Sequence, residues 1–477
     1  MTLTFDPDID PAALDGRRVT IVGLGKGRTT AGLARFLVER GARVTITDPK
    51  PRADLAEGIA RLGELPAELV LAPASDDAAL ADPDLVFFIP GQRPRSATIQ
   101  RAQTRGIPVA TEIGLFFRLC PAPIIGVTGT KGKSTTTTLV ARILARGARR
   151  VIVGGNIGNA VIQDLATITA RDLVLLELSS FQLETLGRSP HIAVVTNVLE
   201  DHLDHHGTRD AYVAAKRNIV RWQTAADVAV INLDDPGAVA LHAGAASALR
   251  GVSLERRPDQ GGWLDGDELA LVDGTATQRM CRAGALRVPG RHNIANALAA
   301  AVVGELCEIP VAGIAAELQA FGGLPHRLET VGEHDGVLWV NDSQGTTPHA
   351  TIPALGAHGR TPVVILGGVS KAADFAALGR AVAGQARAAI LIGQAADDIA
   401  GAIERSREPG SATPVVVRAA SLRTAVAAAR AQARPGDVVL LSPACASFDM
   451  FASYEDRGEQ FRALVREFAP STPAAPS

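Results

Sequence analysis

The chain has little cysteine, no excess of charge of either sign and no long apolar run, and each shortage closes off a class of function. Its four cysteines, Cys120, Cys281, Cys307 and Cys445, lie far apart and form no C-x-x-C pair. A disulfide scaffold is therefore not expected, and a reducing cytoplasm is. Basic and acidic residues nearly cancel, 48 against 50, for a net charge of −2. That balance gives no reason to expect nucleic acid or an anionic membrane as partner. No apolar stretch reaches membrane-spanning length. The start, Met1-Thr-Leu-Thr-Phe-Asp-Pro-Asp8, has no basic segment followed by an apolar core, so no signal peptide is read. The expectation is a soluble, cytoplasmic, monomeric protein.

What is plentiful is apolar side chain. Hydrophobic residues make up 47% and charged residues 21% of 477 positions, enough to fill large cores. A length of this order suggests about three domains of ~150 residues. The chemistry is centred on Ile124-Ile-Gly-Val-Thr-Gly-Thr-Lys-Gly-Lys-Ser-Thr-Thr-Thr-Thr-Leu139. A short apolar run predicts a buried strand, the glycines a tight turn, and the spacing of Leu139, Val140, Ile143 and Leu144 a helix. Residues without a Cβ let backbone N–H groups approach phosphate oxygens, and the helix N-terminus adds its positive dipole end. Five residues, not four, separate Gly126 from Gly132, so this is a variant phosphate loop. Lys133 suits the β- and γ-phosphates of a nucleotide triphosphate, and the Ser134 or Thr135 hydroxyl suits Mg²⁺.

Other strand ends carry polar residues where ligands of parallel sheets collect. Arg18 to Gly27 reads as a strand and glycine turn, with Asp48 ending the second strand. The third position of the dinucleotide pattern is filled by Arg28, which leaves a mononucleotide or sugar-nucleotide site equally open. Glu177 closes a strand expected next to the phosphate loop, where a Mg²⁺-ordering acid belongs. The loop Asn197-Val-Leu-Glu-Asp-His-Leu-Asp-His-His206 reads either as a solvated helix cap or as a hard-cation site. Lys216, taken alone, reads as a surface lysine. Asn293 opens a helix as a base or ribose contact, and Arg327 offers a cation to phosphates. After strands expected around residues 338–341, 363–366 and 438–441, polar loops offer a site for a small polar substrate. The fold class is α/β: a Rossmann-like domain over residues 1–120, and a central P-loop ATPase domain over 121–324 with a parallel sheet and small antiparallel hairpins. A doubly wound C-terminal domain over 325–469 and a disordered tail over 470–477 complete it.

In this order, the phosphate loop, Gly154-Gly-Asn-Ile-Gly158, Glu177-Leu-Ser-Ser-Phe-Gln-Leu-Glu184, Asn197 to Asp204, Ala214-Ala-Lys216, Gly290-Arg-His-Asn293, Gly323-Leu-Pro-His-Arg327 and Leu441-Ser-Pro-Ala-Cys-Ala-Ser447 resemble the Mur ligases of peptidoglycan synthesis. The match spans nearly the whole chain. Within the family, the Glu-Leu-Ser-Ser-Phe-Gln and Leu-Ser-Pro-Ala-Cys-Ala-Ser pair resembles the glutamate-adding member. The resemblance implies ATP-dependent joining of glutamate to UDP-N-acetylmuramoyl-L-alanine through an acyl phosphate. It implies a loop Gly129-Thr130-Lys131-Gly132-Lys133-Ser134-Thr135 around the phosphates, Asn293 and Asn296 at the adenine, and Arg327 and Asp342 at the phosphates and ribose. Two Mg²⁺ ions are implied: one on Ser134 or Thr135 with Glu177, one on His202 with a carbamylated Lys216. Catalysis would fall to Lys133, Lys216, His202 and Glu177. Gly25 to Arg28 and Asp48 would hold the uridine diphosphate. Asn156, Ser179 and Gln182 would touch the muramoyl-alanine end, and Thr346, Lys371, Ser447 and Tyr454 the glutamate.

One departure stands out. The family pattern Asp-Ser-Lys-Ala-Thr-Asn is replaced by Asp342-Ser-Gln-Gly-Thr-Thr347, which removes a cation beside a dicarboxylate. D-glutamate is the expected substrate, with an L-glutamate-adding variant as the alternative. A folylpolyglutamate-type ligase is disfavoured by the sugar-nucleotide domain, and a P-loop ATPase switch without ligase activity is the reading from a different class.

Overall fold

A computed structural model describes residues 5, 7–72, 80–90, 94, 96–158, 160–288, 290–370, 374–408, 410–411 and 413–467. The chain forms two compact units, Met1–Phe321 and Gly322–Ser477.

The first unit contains two sheets. One is five-stranded and wholly parallel, built from β1 (Arg18–Val22), β2 (Arg43–Asp48), β3 (Ala67–Leu71), β4 (Leu85–Phe88) and β5 (Val109–Ala110) in the order β3-β2-β1-β4-β5. The other has nine strands: β6 (Ile124–Thr128), β7 (Val151–Gly155), β8 (Leu173–Glu177), β9 (Ile192–Val195), β10 (Val228–Asn232), β11 (Ala248–Ser253), β12 (Gln260–Asp265), β13 (Glu268–Asp273) and β14 (Ala276–Arg282). Their order is β14-β13-β12-β11-β10-β9-β6-β8-β7. Strand β6 lies between β8 and β9, parallel to both. All five of its residues are buried, which is why its sequence is an unbroken apolar run rather than an alternating one. Gly126 is needed there, because a Cβ would stand 2.8 Å from the Pro190 ring and 2.9 Å from Leu178.

The small antiparallel hairpins expected in the stretch 121–324 are present as β12, β13 and β14. They do not stand apart, however: β11 and β12 pair in parallel, so the hairpins extend the central sheet. The helix Arg291–Leu306 buries Asn296 and the run Ala297 to Gly304, so nearly all of its later turns face protein.

The second unit carries β15 (Glu329–His334), β16 (Val337–Asn341), β17 (Pro362–Gly367), β18 (Ala388–Ile392), β19 (Val415–Arg418) and β20 (Val438–Leu441) in the order β15-β16-β20-β17-β18-β19. Five strands are parallel, as the alternating pattern predicts. The sixth, β15, pairs antiparallel to β16. Sequence reading misses it because Glu-Thr-Val-Gly-Glu-His is polar and glycine-broken, and an edge strand needs no buried face. Helices cover both faces, as two separate apolar clusters show. Arg457 is fully buried in this unit, donating to the Ser343 hydroxyl at 2.9 Å and to the carbonyls of Ser343 and Cys445. Among the described residues, no helix is long and apolar enough to cross a membrane.

Candidate active site

The phosphate loop joins β6 to the helix Lys133–Leu144. Its end is Gly132 at φ +83°, a left-handed conformation that glycine adopts without strain. A Cβ there would also stand 2.6 Å from Asn296 Oδ1. We expect Gly132→Ala to destabilise the first unit by about 1 to 3 kcal/mol and to weaken nucleotide binding, read by thermal melting with and without ATP.

The loop is held from outside by the segment after β9. Asn197 O accepts from Thr130 N (2.9 Å), Asn197 Oδ1 from Lys131 N (2.8 Å), and Lys131 O from Thr196 Oγ1 (2.6 Å). Thr130 Oγ1 accepts from Leu199 N (2.9 Å) and pairs with the Tyr212 hydroxyl (2.8 Å). The N–H groups of the first helical turn have no partners within their own helix, and a helix start of this kind suits a phosphate.

Two lysines meet on this loop. Lys133 Nζ donates to the carbonyls of Gly129 (2.9 Å) and Thr130 (3.1 Å). Lys216 Nζ, from the helix Arg209–Arg221, donates to the same Gly129 carbonyl (3.0 Å) and to Thr128 Oγ1 (3.3 Å). Read alone as a surface residue, Lys216 is in fact 1% exposed, with its ammonium over the Tyr212 ring. Burial, then the charge of Lys133, push its pKa down to about 7, against the pull of Asp201.

Beside the loop, β8 ends at the buried Glu177. Its Oε1 accepts from Asn156 Nδ2 at 2.8 Å, while Oε2 is enclosed with no hydrogen-bond partner among the described residues. An orphaned buried carboxylate oxygen on the strand paired with β6, opposite Val127 just before the phosphate loop, fits a hard divalent cation, which prefers oxygen ligands. Ser179 and Gln182 are both buried and bond to each other in a capping box, Gln182 N to Ser179 Oγ at 3.3 Å and Ser179 N to Gln182 Oε1 at 3.0 Å. Their hydrogen-bonding capacity is thus partly spent on starting the helix Ser180–Leu183. His202 is half-exposed, in a left-handed conformation (φ +53°), with its ring centroid 4.9 Å from that of Phe181. Asn296 bonds Asn293 at 3.4 Å and packs on Gly132, against the phosphate loop itself.

At the first sheet, Asp48 Oδ2 accepts from the N–H groups of Leu24 (2.8 Å) and Gly25 (3.2 Å), and Oδ1 from Lys50 N. The carboxylate therefore fixes the glycine turn. Gly27 tolerates no side chain, since a Cβ would meet Gly58 at 2.7 Å, and Arg28 begins the helix exposed.

In the second unit, Asp342 is buried and accepts from Ser442 Oγ (2.7 Å) and Leu328 N (3.2 Å). Burial raises its pKa to about 6 in spite of those bonds. Arg327 Nε donates to Gln344 Oε1 at 3.0 Å, so the residue that departs from the family pattern holds a candidate phosphate ligand. Ser447 is buried, Thr346 and Tyr454 are half-buried, and the Ser343 hydroxyl donates to Tyr454 O at 2.8 Å. Lys371 lies outside the described residues.

Residues 127–304 match the Mur ligase middle domain and residues 326–445 the Mur ligase glutamate ligase domain. The chain is 42% identical over 452 residues to the UDP-N-acetylmuramoylalanine–D-glutamate ligase of Symbiobacterium thermophilum, covering 94% of this chain and 97% of that protein. It is 40% identical over 456 residues to the protein of the same name from Pelotomaculum thermopropionicum, covering 94% and 98%. The chain belongs to the Mur ligase family. The fold agrees: the UDP-N-acetylmuramate-alanine ligase MurC of Thermotoga maritima aligns with a TM-score of 0.55 at 19% identity, over 94% of this chain and 99% of that one.

Several residues of this Mur ligase escaped sequence reading. Thr128, Thr196 and Tyr212 hold the phosphate loop and Lys216, yet each reads as an ordinary strand or helix residue. Arg457 could have been noticed only as a cation within the pattern of an otherwise amphipathic helix.

Proposed function

We propose that this Mur ligase joins D-glutamate to UDP-N-acetylmuramoyl-L-alanine at the expense of ATP, in the cytoplasm and as a monomer. The observation that carries the chemistry is the convergence of Lys133 and Lys216 on the Gly129 carbonyl of a phosphate loop. The identity of the substrates rests on the names of relatives that align along almost their whole length. Free cysteines throughout the described chain support a reducing compartment.

In the first step the carboxylate of the alanine end attacks the γ-phosphorus, ADP leaves, and an acyl phosphate forms. The glutamate amine then attacks the carbonyl carbon; phosphate leaves, a proton is lost and an amide remains. Activation is needed because oxide is a poor leaving group and phosphate a good one. This chain's contribution is positioning and charge. Gly129 to Thr135 cradle the phosphates, and Lys133 neutralises the developing β,γ charge. Asn293 and Asn296 are assigned to the adenine, and Arg327 and Asp342 to the phosphates and ribose. Gly25, Arg28 and the turn fixed by Asp48 take the uridine diphosphate. Asn156, Ser179 and Gln182 orient the muramoyl-alanine end. Thr346, Lys371, Ser447 and Tyr454 hold the glutamate. Two Mg²⁺ ions, one on Ser134 or Thr135 with Glu177 and one on His202 with Lys216 as its carbamate, would supply phosphate charge neutralisation when bound. The free amine that burial favours in Lys216 is the form that adds CO₂, releasing a proton.

The test is phosphate release and product formation with D- or L-glutamate in parallel, the product identified by mass and chirality. Release that requires both the muramoyl precursor and D-glutamate is expected. Product from L-glutamate alone, or hydrolysis that ignores both substrates, overturns the proposal. Light scattering should give the mass of one chain. We also expect Glu177→Gln, which keeps an acceptor for Asn156 while removing the charge, to raise the Mg²⁺ concentration needed for half-maximal rate about tenfold. An unchanged Mg²⁺ dependence would remove Glu177 from the metal set.

A further inference from the structure

Behind Phe181, on the side chains that follow His202, lies a second group of potential ligands. His205 and His206 end the short helix Leu203–His206, and Glu184 caps the helix Ser180–Leu183. Glu184 Oε2 is 3.1 Å from His205 Nε2 and 3.6 Å from His206 Nδ1, and all three donor atoms lie within 4.8 Å of one another. Tetrahedral ligands 2.0 to 2.2 Å from a zinc ion stand about 3.4 Å apart, so the two measured spacings straddle the value such an ion imposes.

The orientation of His206 is what separates this group from a plain ion pair. Its side chain is fully enclosed (0% exposed), and its Nε2 is bonded to Ser180 Oγ at 3.0 Å. Its Nδ1 has no hydrogen-bond partner among the described residues and lies 3.6 Å from a carboxylate oxygen of Glu184. When Nε2–H donates to the hydroxyl, Nδ1 presents a lone pair to an acceptor, and a cation between them satisfies both. The outer surroundings are also those of a metal site: Ser180 fixes the His206 ring, and Phe181 packs at 4.4 Å on His205 and 5.6 Å on His206.

We propose that Glu184, His205 and His206 form a three-ligand site for a borderline divalent cation of the Zn²⁺ type, distinct from the Mg²⁺ sites of the phosphate loop. Two imidazoles and one carboxylate select against Mg²⁺, which prefers oxygen, and leave a fourth position for water or a small ligand. A cation here would tie the helix Ser180–Leu183, whose cap is Ser179, to the turn that carries His202. His206 also packs edge-on to Tyr212 at 5.5 Å, and Tyr212 bonds the phosphate loop, so occupancy would be felt at the nucleotide.

The experiment titrates Zn²⁺ into chelator-treated full-length chain against a chromophoric chelator, with millimolar Mg²⁺ present throughout. One Zn²⁺ per chain is expected. Both His205→Ala and Glu184→Gln should weaken it by at least the about tenfold that even an outer partner is worth, and His242→Ala, on a separate helix, should not. Circular dichroism checks that each variant folds. The absorption spectrum of wild-type chain loaded with Co²⁺ gives a reading free of any variant, with tetrahedral bands and no thiolate charge transfer expected. Equal affinity in the folded variants, displacement of Zn²⁺ by Mg²⁺, or thiolate bands from a cysteine ligand would each overturn the assignment.

Discussion

Lys133→Ala lowers kcat by about a thousandfold while the chain stays folded, the loss expected when one preorganised donor is removed from a charge-developing centre. The ammonium is held by the Gly129 and Thr130 carbonyls at 2.9 and 3.1 Å, which keeps its charge on the loop that would cradle the phosphates. The variant also relieves the repulsion that Lys133 exerts on Lys216, so the Lys216 pKa should rise from about 7 toward the ordinary lysine range. Product formation by mass, with ATP at saturation, separates a loss of rate from a loss of binding. A variant within a few-fold of wild type would remove Lys133 from the γ-phosphate.

The second large effect is expected at Lys216. Lys216→Ala should also cost about a thousandfold, and added formate or acetate should restore part of the rate by standing in for the carbamate. Absence of any rescue counts against the carbamate while leaving the lysine essential. With a pKa near 7, the amine is mostly protonated at pH 6 and mostly free at pH 8. Carbamate formation needs the free amine, so dependence of the rate on added bicarbonate should grow over that interval. Stability has a definite sign as well. The folded pKa lies below that of the unfolded lysine, at 10.5, so between about pH 7 and 10.5 the unfolded chain binds more protons and stability rises with pH. Below pH 7 the cost of burying the charge is present in full. In CO₂-free buffer at pH 6, Lys216→Met should therefore melt higher than wild type, because it removes a buried cation.

The phosphate loop was legible because its glycines, lysine and hydroxyls occupy adjacent positions, and local spacing alone makes the cradle. The position of Glu177 was legible for a related reason: an unbroken apolar run that closes on a carboxylate reads as a buried strand with that acid at its tip. The edge strand β15 was not, since its partner β16 supplies the pairing that its own sequence does not announce. Asp48 was legible as the acid that ends the second strand, but its carboxylate is engaged by the backbone of the turn that follows the first strand.

By itself, the sequence determined the α/β class, the phosphate loop and, through motif order, the membership in a ligase family. Those features live in runs of neighbouring residues, where chain geometry converts spacing into shape. Only the tertiary structure decided that Lys216 is buried rather than exposed, that it meets Lys133 at one carbonyl, and that Glu184 stands against two histidines more than twenty residues away. Burial and the approach of like or opposite charges depend on elements distant in the chain, and no local pattern encodes the field that those elements create.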